Sequence, residues 1–88
     1  MSTRKRGFIE IVGEILTTLD EKPLKKSHIA YKCNLDPRAV SKYLDLIIHL
    51  NLVEKSEDLR YFLLTQKGIS FAKKFHTLTK LLENNHDK

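Results

Sequence analysis

Apolar residues recur along this chain at two different spacings, and the change of spacing divides it into elements. Phe8, Val12, Ile15 and Leu19 step by four, three and four residues, with Leu16 beside them. That is the stripe of an amphipathic helix, and Glu10, Glu14 and Thr17 fall off it. The stripe ends near Asp20, and Pro23 forbids its continuation. A shorter helix is expected from about Lys25 to Cys33, with Ile29 and Cys33 on its inner side and Ser27 as its candidate capping side chain. Asn34-Leu35 reads as a tight turn. Asp36-Pro37 then opens a third helix, expected over 36–50: an acceptor stands at the cap, followed by proline where its missing N–H costs nothing. At about 100° per residue, Val40, Tyr43, Leu44, Ile47 and Leu50 gather on a core face, and Arg38, Ser41, Lys42, Asp45 and His49 gather opposite.

Past Leu50 the pattern changes. Leu52-Val53-Glu54-Lys55 and Leu59-Arg60-Tyr61-Phe62-Leu63-Leu64 are strand-prone and flank a polar Ser56-Glu57-Asp58 tip, which together predict a hairpin. Thr65 caps a last helix over about 65–83, with Phe71, Phe75, Leu78 and Leu82 forming a narrow seam. The expected fold class is α+β, mostly α. Three helices, a two-stranded β-hairpin wing and a C-terminal helix are the order of a winged helix-turn-helix. The expected organisation is a basic N-terminal arm over 1–6, one domain over 7–83 and a flexible polar tail over 84–88.

Length and composition agree with this. Eighty-eight residues make one domain, and 41% hydrophobic with 31% charged residues suits a folded chain. No apolar run approaches the roughly 20 residues needed to cross a bilayer. Glu10 and Glu14 interrupt the stretch that a signal peptide would need, so none is expected. A lone cysteine, Cys33, permits no intramolecular disulfide and fits a reducing cytoplasm. Charge changes the picture more. The net charge is +5, and the segment Lys22–Lys42, with six cations and one acid, carries all of it. A basic stripe confined to one segment is the footprint of a polyanion partner.

The candidate chemistry is therefore recognition rather than catalysis. A helix-turn-helix projects the polar face of its second helix into the major groove. Arg38 has the planar fork suited to guanine, while Ser41 and Lys42 suit bases or phosphates. Lys25, Lys26 and Ser27 would meet the phosphate backbone, and Arg60 at the base of the second strand is the expected wing contact. Glu57 and Asp58 are acidic, so the wing tip is expected to stand off the duplex. Arg4-Lys5-Arg6 reads either as an arm for a minor groove or as a solvated tail. Tyr61 and Leu63 read either as an exposed patch or as edge packing, and Tyr43 as core. Phe75, Leu78 and Leu82 extend past what a small core can cover and are expected to form a homodimer interface. His28, His49, His76 and His86 are scattered, and no glycine-rich phosphate loop is present. No metal site, cofactor, small-molecule substrate, membrane association or enzymatic activity is expected.

Ser27-His28-Ile29-Ala30-Tyr31-Lys32-Cys33-Asn34-Leu35, Tyr43-Leu44-Asp45, Leu52-Val53 and Phe62-Leu63-Leu64-Thr65-Gln66-Lys67-Gly68 resemble small archaeal winged-helix DNA-binding proteins. That group includes dimeric chromatin-type proteins and predicted transcription regulators. The resemblance covers about residues 6–82. It implies double-stranded DNA as partner, dimerisation through the last helix as an antiparallel coiled coil, and work in the cytoplasm on the nucleoid. The other reading of the same fold is a protein-interaction module that does not bind DNA.

Overall fold

The computed structural model describes residues 6–86, with side chains through residue 83. Four helices and a small antiparallel sheet follow one another as α1 (Phe8–Glu21), α2 (Lys26–Cys33), α3 (Pro37–His49), β1 (Val53–Lys55), β2 (Phe62–Leu64) and α4 (Gln66–His86). This is the winged helix-turn-helix architecture that the sequence predicts.

Helix α1 buries Ile11, Val12, Ile15, Leu16 and Leu19. Phe8, expected on that stripe, is instead about half exposed, because it stands in the first turn, ahead of the elements that cover the rest. Its ring leans on Tyr43 of α3 at 5.9 Å, and Tyr43 is half-buried in consequence. Helix α2 starts without a side-chain cap. Ser27 lies inside its first turn, and the Lys25 carbonyl accepts from the N–H groups of His28 and Ile29 at 3.0 Å each. Asn34 ends α2 in the left-handed region at φ 56°, and the Leu35 N–H reaches back to the Ala30 carbonyl at 2.9 Å.

Helix α3 begins as its sequence requires. The Ala39 N–H donates to Asp36 Oδ1 at 2.8 Å, and Pro37 occupies the first helical position. Val40, Leu44 and Ile47 are fully buried. Leu50, expected on this face, is 42% exposed, because the helix stops at His49 and the chain turns away through Asn51 at φ 68°.

The strands are shorter than expected. Val53 pairs with Leu64, Glu54 with Leu63 and Lys55 with Phe62. Residues 56–61 are drawn instead into a hydrogen-bonded turn. A third strand, reduced to one residue, completes the sheet: Leu24 and Phe62 exchange both backbone hydrogen bonds, at 3.1 and 2.8 Å. This bridge ties the start of the helix-turn-helix to the wing.

Helix α4 begins at a tight junction. Thr65 Oγ1 accepts from the Gly68 N–H at 3.0 Å and donates to the Asn51 carbonyl at 2.6 Å. A side chain at Gly68 would collide with the Leu52 carbonyl, so only glycine lets the helix start this close to the wing. Further along, α4 lies against α1, where the Phe75 ring packs on Gly13 and Ala72 is buried. The helix continues to His86, past its last apolar residue, Leu82. No described helix is long and apolar enough to cross a membrane.

Candidate nucleic-acid interface

The two faces of α3 divide as an interface helix should. Its inner residues are buried, and Arg38, Lys42, Asp45 and His49 are exposed on the outside, with Ser41 half-buried at the margin. Arg38 is the second residue after the Asp36 cap, and Lys42 lies one turn further along the same face. Among the described residues neither has a hydrogen-bond or ion-pair partner, so both cations are free to meet an incoming anion.

A second group of cations stands at the start of α2. Lys25, Lys26 and Ser27 are exposed, and the Lys25 ammonium lies 5.9 Å from the centre of the Tyr61 ring. The Leu24–Phe62 bridge explains this neighbourhood, since it brings the residues after Leu24 beside those before Phe62. Arg60 is also exposed. Tyr61 and Leu63 are half-buried, and Tyr61 forms the floor under Lys25 rather than a separate patch.

Arg6 is a positioning residue that the sequence does not reveal. Its Nη1 donates to Glu14 Oε1 at 2.6 Å and to the Cys33 carbonyl at 2.7 Å, and Nη2 donates to the Asn34 carbonyl at 3.1 Å. Those two carbonyls end α2, where a cation is favoured by the helix dipole. One guanidinium thus holds the front of α1 to the turn of the helix-turn-helix. Arg6 is not available as part of a groove-seeking arm, and Arg4 and Lys5 lie outside the described residues. A separation of eight residues between Arg6 and Glu14, with backbone acceptors, leaves no pattern in a sequence.

The wing tip is also more ordered than its polarity suggests. Asp58 Oδ1 accepts from the Ser56 hydroxyl at 2.6 Å and from the Arg60 N–H at 3.1 Å. The Tyr61 N–H donates to Ser56 Oγ at 3.1 Å, and the Ser56 N–H to the Tyr61 carbonyl at 2.8 Å. The hydroxyl of Ser56 and the N–H of Arg60 hold the Asp58 carboxyl below its usual range.

The residues of the expected dimer seam separate. Phe75 is half-buried against Gly13 within the chain, whereas Leu78 and Leu82 are 52% and 57% exposed. Leu81 joins them at 56%. Beside the α1–α4 contact, a cavity of about 260 Å³ is lined by Glu14, Thr18, Cys33, Phe75 and His76. Burial pushes the Cys33 thiol up, against a smaller opposing effect of the hydroxyl of Thr18 at 3.6 Å. The thiol therefore stays protonated and poorly nucleophilic at neutral pH. Among the described residues, no group of three or more His, Cys, Asp or Glu side chains is placed to hold a metal ion.

Residues 5–83 match the sequence model of the family described as winged helix-turn-helix. Uncharacterized protein MJ0287 of Methanocaldococcus jannaschii is 31% identical over 80 residues, which are 91% of this chain and 80% of that protein. A double mutant of Lactococcus lactis ZitR superposes with a TM-score of 0.75 at 28% identity, covering 88% of this chain but only 57% of that one. Sso10a-2, a DNA-binding protein from Sulfolobus solfataricus, superposes with a TM-score of 0.76 at 23% identity, covering 93% of this chain and 87% of the other.

Proposed function

The chain belongs to the winged helix-turn-helix family, and from that premise we propose that it binds double-stranded DNA with α3 as its recognition helix. The observation that carries this reading is the outer face of α3, where Arg38 and Lys42 are exposed and unpartnered one turn apart. Fold alone would leave the partner open. Of proteins with this fold, Sso10a-2 is a DNA-binding protein and ZitR has been solved in complex with DNA. The free cations of α3, together with the exposed Lys25 and Lys26 at the start of α2, give this chain the charge for the same partner.

Roles follow from side-chain chemistry. Arg38, near the N-terminus of α3, reads a guanine through its paired donors, and Ser41 supports it from the margin of that face. Lys42 is a point charge for a phosphate, as are Lys25 and Lys26, with Ser27 donating from the same turn. Arg60 meets the duplex from the wing. We further propose a homodimer, closed by the exposed Leu78 and Leu82 of α4 as Phe75 leads into the seam. A dimer places two recognition helices on one duplex, the arrangement for a transcription regulator or a chromatin-type protein acting in the cytoplasm on the nucleoid.

Single alanine substitutions test the assignment. Arg38→Ala should cost about 1–3 kcal/mol on a preferred site and flatten the preference among sequences. Lys42→Ala should weaken all duplexes alike. If neither substitution changes binding, α3 is not the recognition helix.

A further inference from the structure

The outer face of α3 carries one charge of the wrong sign for a polyanion. Asp45 is exposed there, between Lys42 and His49 in sequence. Among the described residues its carboxylate takes no hydrogen bond or ion pair from either of them. The helix fixes the direction in which it points. Asp45 follows Arg38 by seven residues, so the two lie within about 20° of each other around the axis. Along the axis they stand about 10.5 Å apart, at a rise of about 1.5 Å per residue. A groove that receives Arg38 therefore receives Asp45 two turns further on.

The stability of α3 does not account for an acid at this position. Aspartate is among the weaker helix formers, and the helix dipole favours an acid only in the first turn. Asp45 stands well past that turn, in the second half of Pro37–His49. Walled by phosphates, an unpaired carboxylate in the groove is repelled. One kind of base edge offsets the repulsion, because the exocyclic amine of cytosine donates to a carboxylate. Guanine presents acceptors in the major groove, thymine an acceptor and a methyl group, and adenine sets its N7 acceptor beside its amine.

We propose that Asp45 is a specificity-determining residue that accepts from a cytosine amine in the major groove. At about 3.4 Å per base pair, that cytosine lies about three base pairs from the guanine met by Arg38. The proposal rests on the reading of α3 as the recognition helix. Arg38 and Lys42 attract any duplex, whereas Asp45 opposes that attraction wherever its donor is missing. The chain is on this account a site-specific regulator and not a sequence-indifferent binder.

The test selects binding sites with the full chain from a pool of duplexes that have a randomised core, then measures affinity for the selected site and for the unselected pool by anisotropy. Wild type should enrich a cytosine about three base pairs from a guanine, and replacing that cytosine should weaken binding about tenfold. Asp45→Ala should keep the guanine, lose the preference for cytosine and bind the unselected pool severalfold more tightly. Asp45→Asn should move the preference to adenine, whose N6 and N7 suit an amide, a change that a merely structural role would not produce. Thermal midpoints should stay near that of wild type, since the side chain is exposed. Cytosine still fixed in the sites of Asp45→Ala, or tighter binding of the pool with no change of preference, overturns the role of Asp45 alone. A wild type that binds duplexes without enriching any sequence overturns it too. A wild type that binds no duplex, or an Arg38→Ala variant that selects the same sites as wild type, overturns the reading of α3 with it.

Discussion

Gly13 of α1 lies so close to the ring of Phe75 in α4 that a methyl group in its place would overlap the ring. Alanine is the better helix former by about 1 kcal/mol, so propensity alone predicts that Gly13→Ala stabilises the chain. Contact predicts the reverse, since the Phe75 ring must shift to admit the methyl group and overpacking costs about 1–3 kcal/mol. The steric effect should win. Urea denaturation should show Gly13→Ala less stable than wild type, and a more stable variant would mean that α1 and α4 are not held together at this point.

Arg6 joins α1 to the end of α2 through three acceptors on two segments. Arg6→Gln keeps the length of the side chain but loses the charge that favours the last carbonyls of α2. The guanidinium is partly exposed, at 29%, so screening reduces the effect, and about 1–2 kcal/mol of stability should be lost. Denaturation in low and high salt checks this. The deficit should shrink as salt rises, and an unchanged midpoint at low salt would contradict the clamp.

The wing tip separates two acids that look alike in sequence. The carboxylate of Asp58 accepts hydrogen bonds from the Ser56 hydroxyl and the Arg60 N–H in the folded chain, which hold it below the ordinary aspartate range. A depressed folded value means that its contribution is complete above the unfolded value and is lost as pH falls through the folded one. NMR of the side-chain carboxyl should therefore show Asp58 titrating below the ordinary aspartate range, and the turn should loosen only on the acid side of about pH 4. Glu57→Lys should leave the turn intact and tighten non-specific DNA binding. Asp58→Lys should disrupt the turn as well, so the two variants must differ in wing order.

The exposed leucines of α4 are the proposed dimer contact. Leu78→Lys with Leu82→Lys should leave a folded chain, because both side chains are more than half exposed. Light scattering should find this variant at the mass of one chain and wild type at twice that. Binding to DNA should weaken as the avidity of two half-sites is lost. Wild type at the mass of one chain, at tens of micromolar, would remove the dimer from the account.

Much of this fold was legible because local rules and tertiary packing agree. Asp36-Pro37 states where α3 begins, and the Val40–Leu44–Ile47 spacing states which side is buried. Thr65 and Gly68 mark the wing-to-α4 junction. The rest depends on partners far apart in the chain. Leu24 pairs with Phe62 as a one-residue strand, which is too short to make an alternating pattern. Arg6 spends its charge on carbonyls, which carry no sequence signal. Phe8 and Leu50 continue apolar stripes but sit at helix ends, where the periodicity persists and the cover does not. Leu59 takes a conformation dictated by the Ser56–Asp58–Tyr61 turn and not by its own preference. The polar outer face of α3 was readable because its polar residues share the period of its core residues.

The central claim is that exposed cations on α3 and the start of α2 bind the phosphates of a duplex, and salt dependence addresses it most directly. If each chain neutralises about four to six phosphates, the logarithm of the binding constant should fall against the logarithm of salt concentration with a slope of about −4 to −5 per bound chain. Lys42→Ala should lower that slope by about one. Anisotropy titrations of a labelled duplex from low to moderate salt measure both quantities. Tight binding at low salt with that slope, reduced in the Lys42 variant, is the predicted result. Binding that is absent at low salt, or indifferent to salt, would contradict the account.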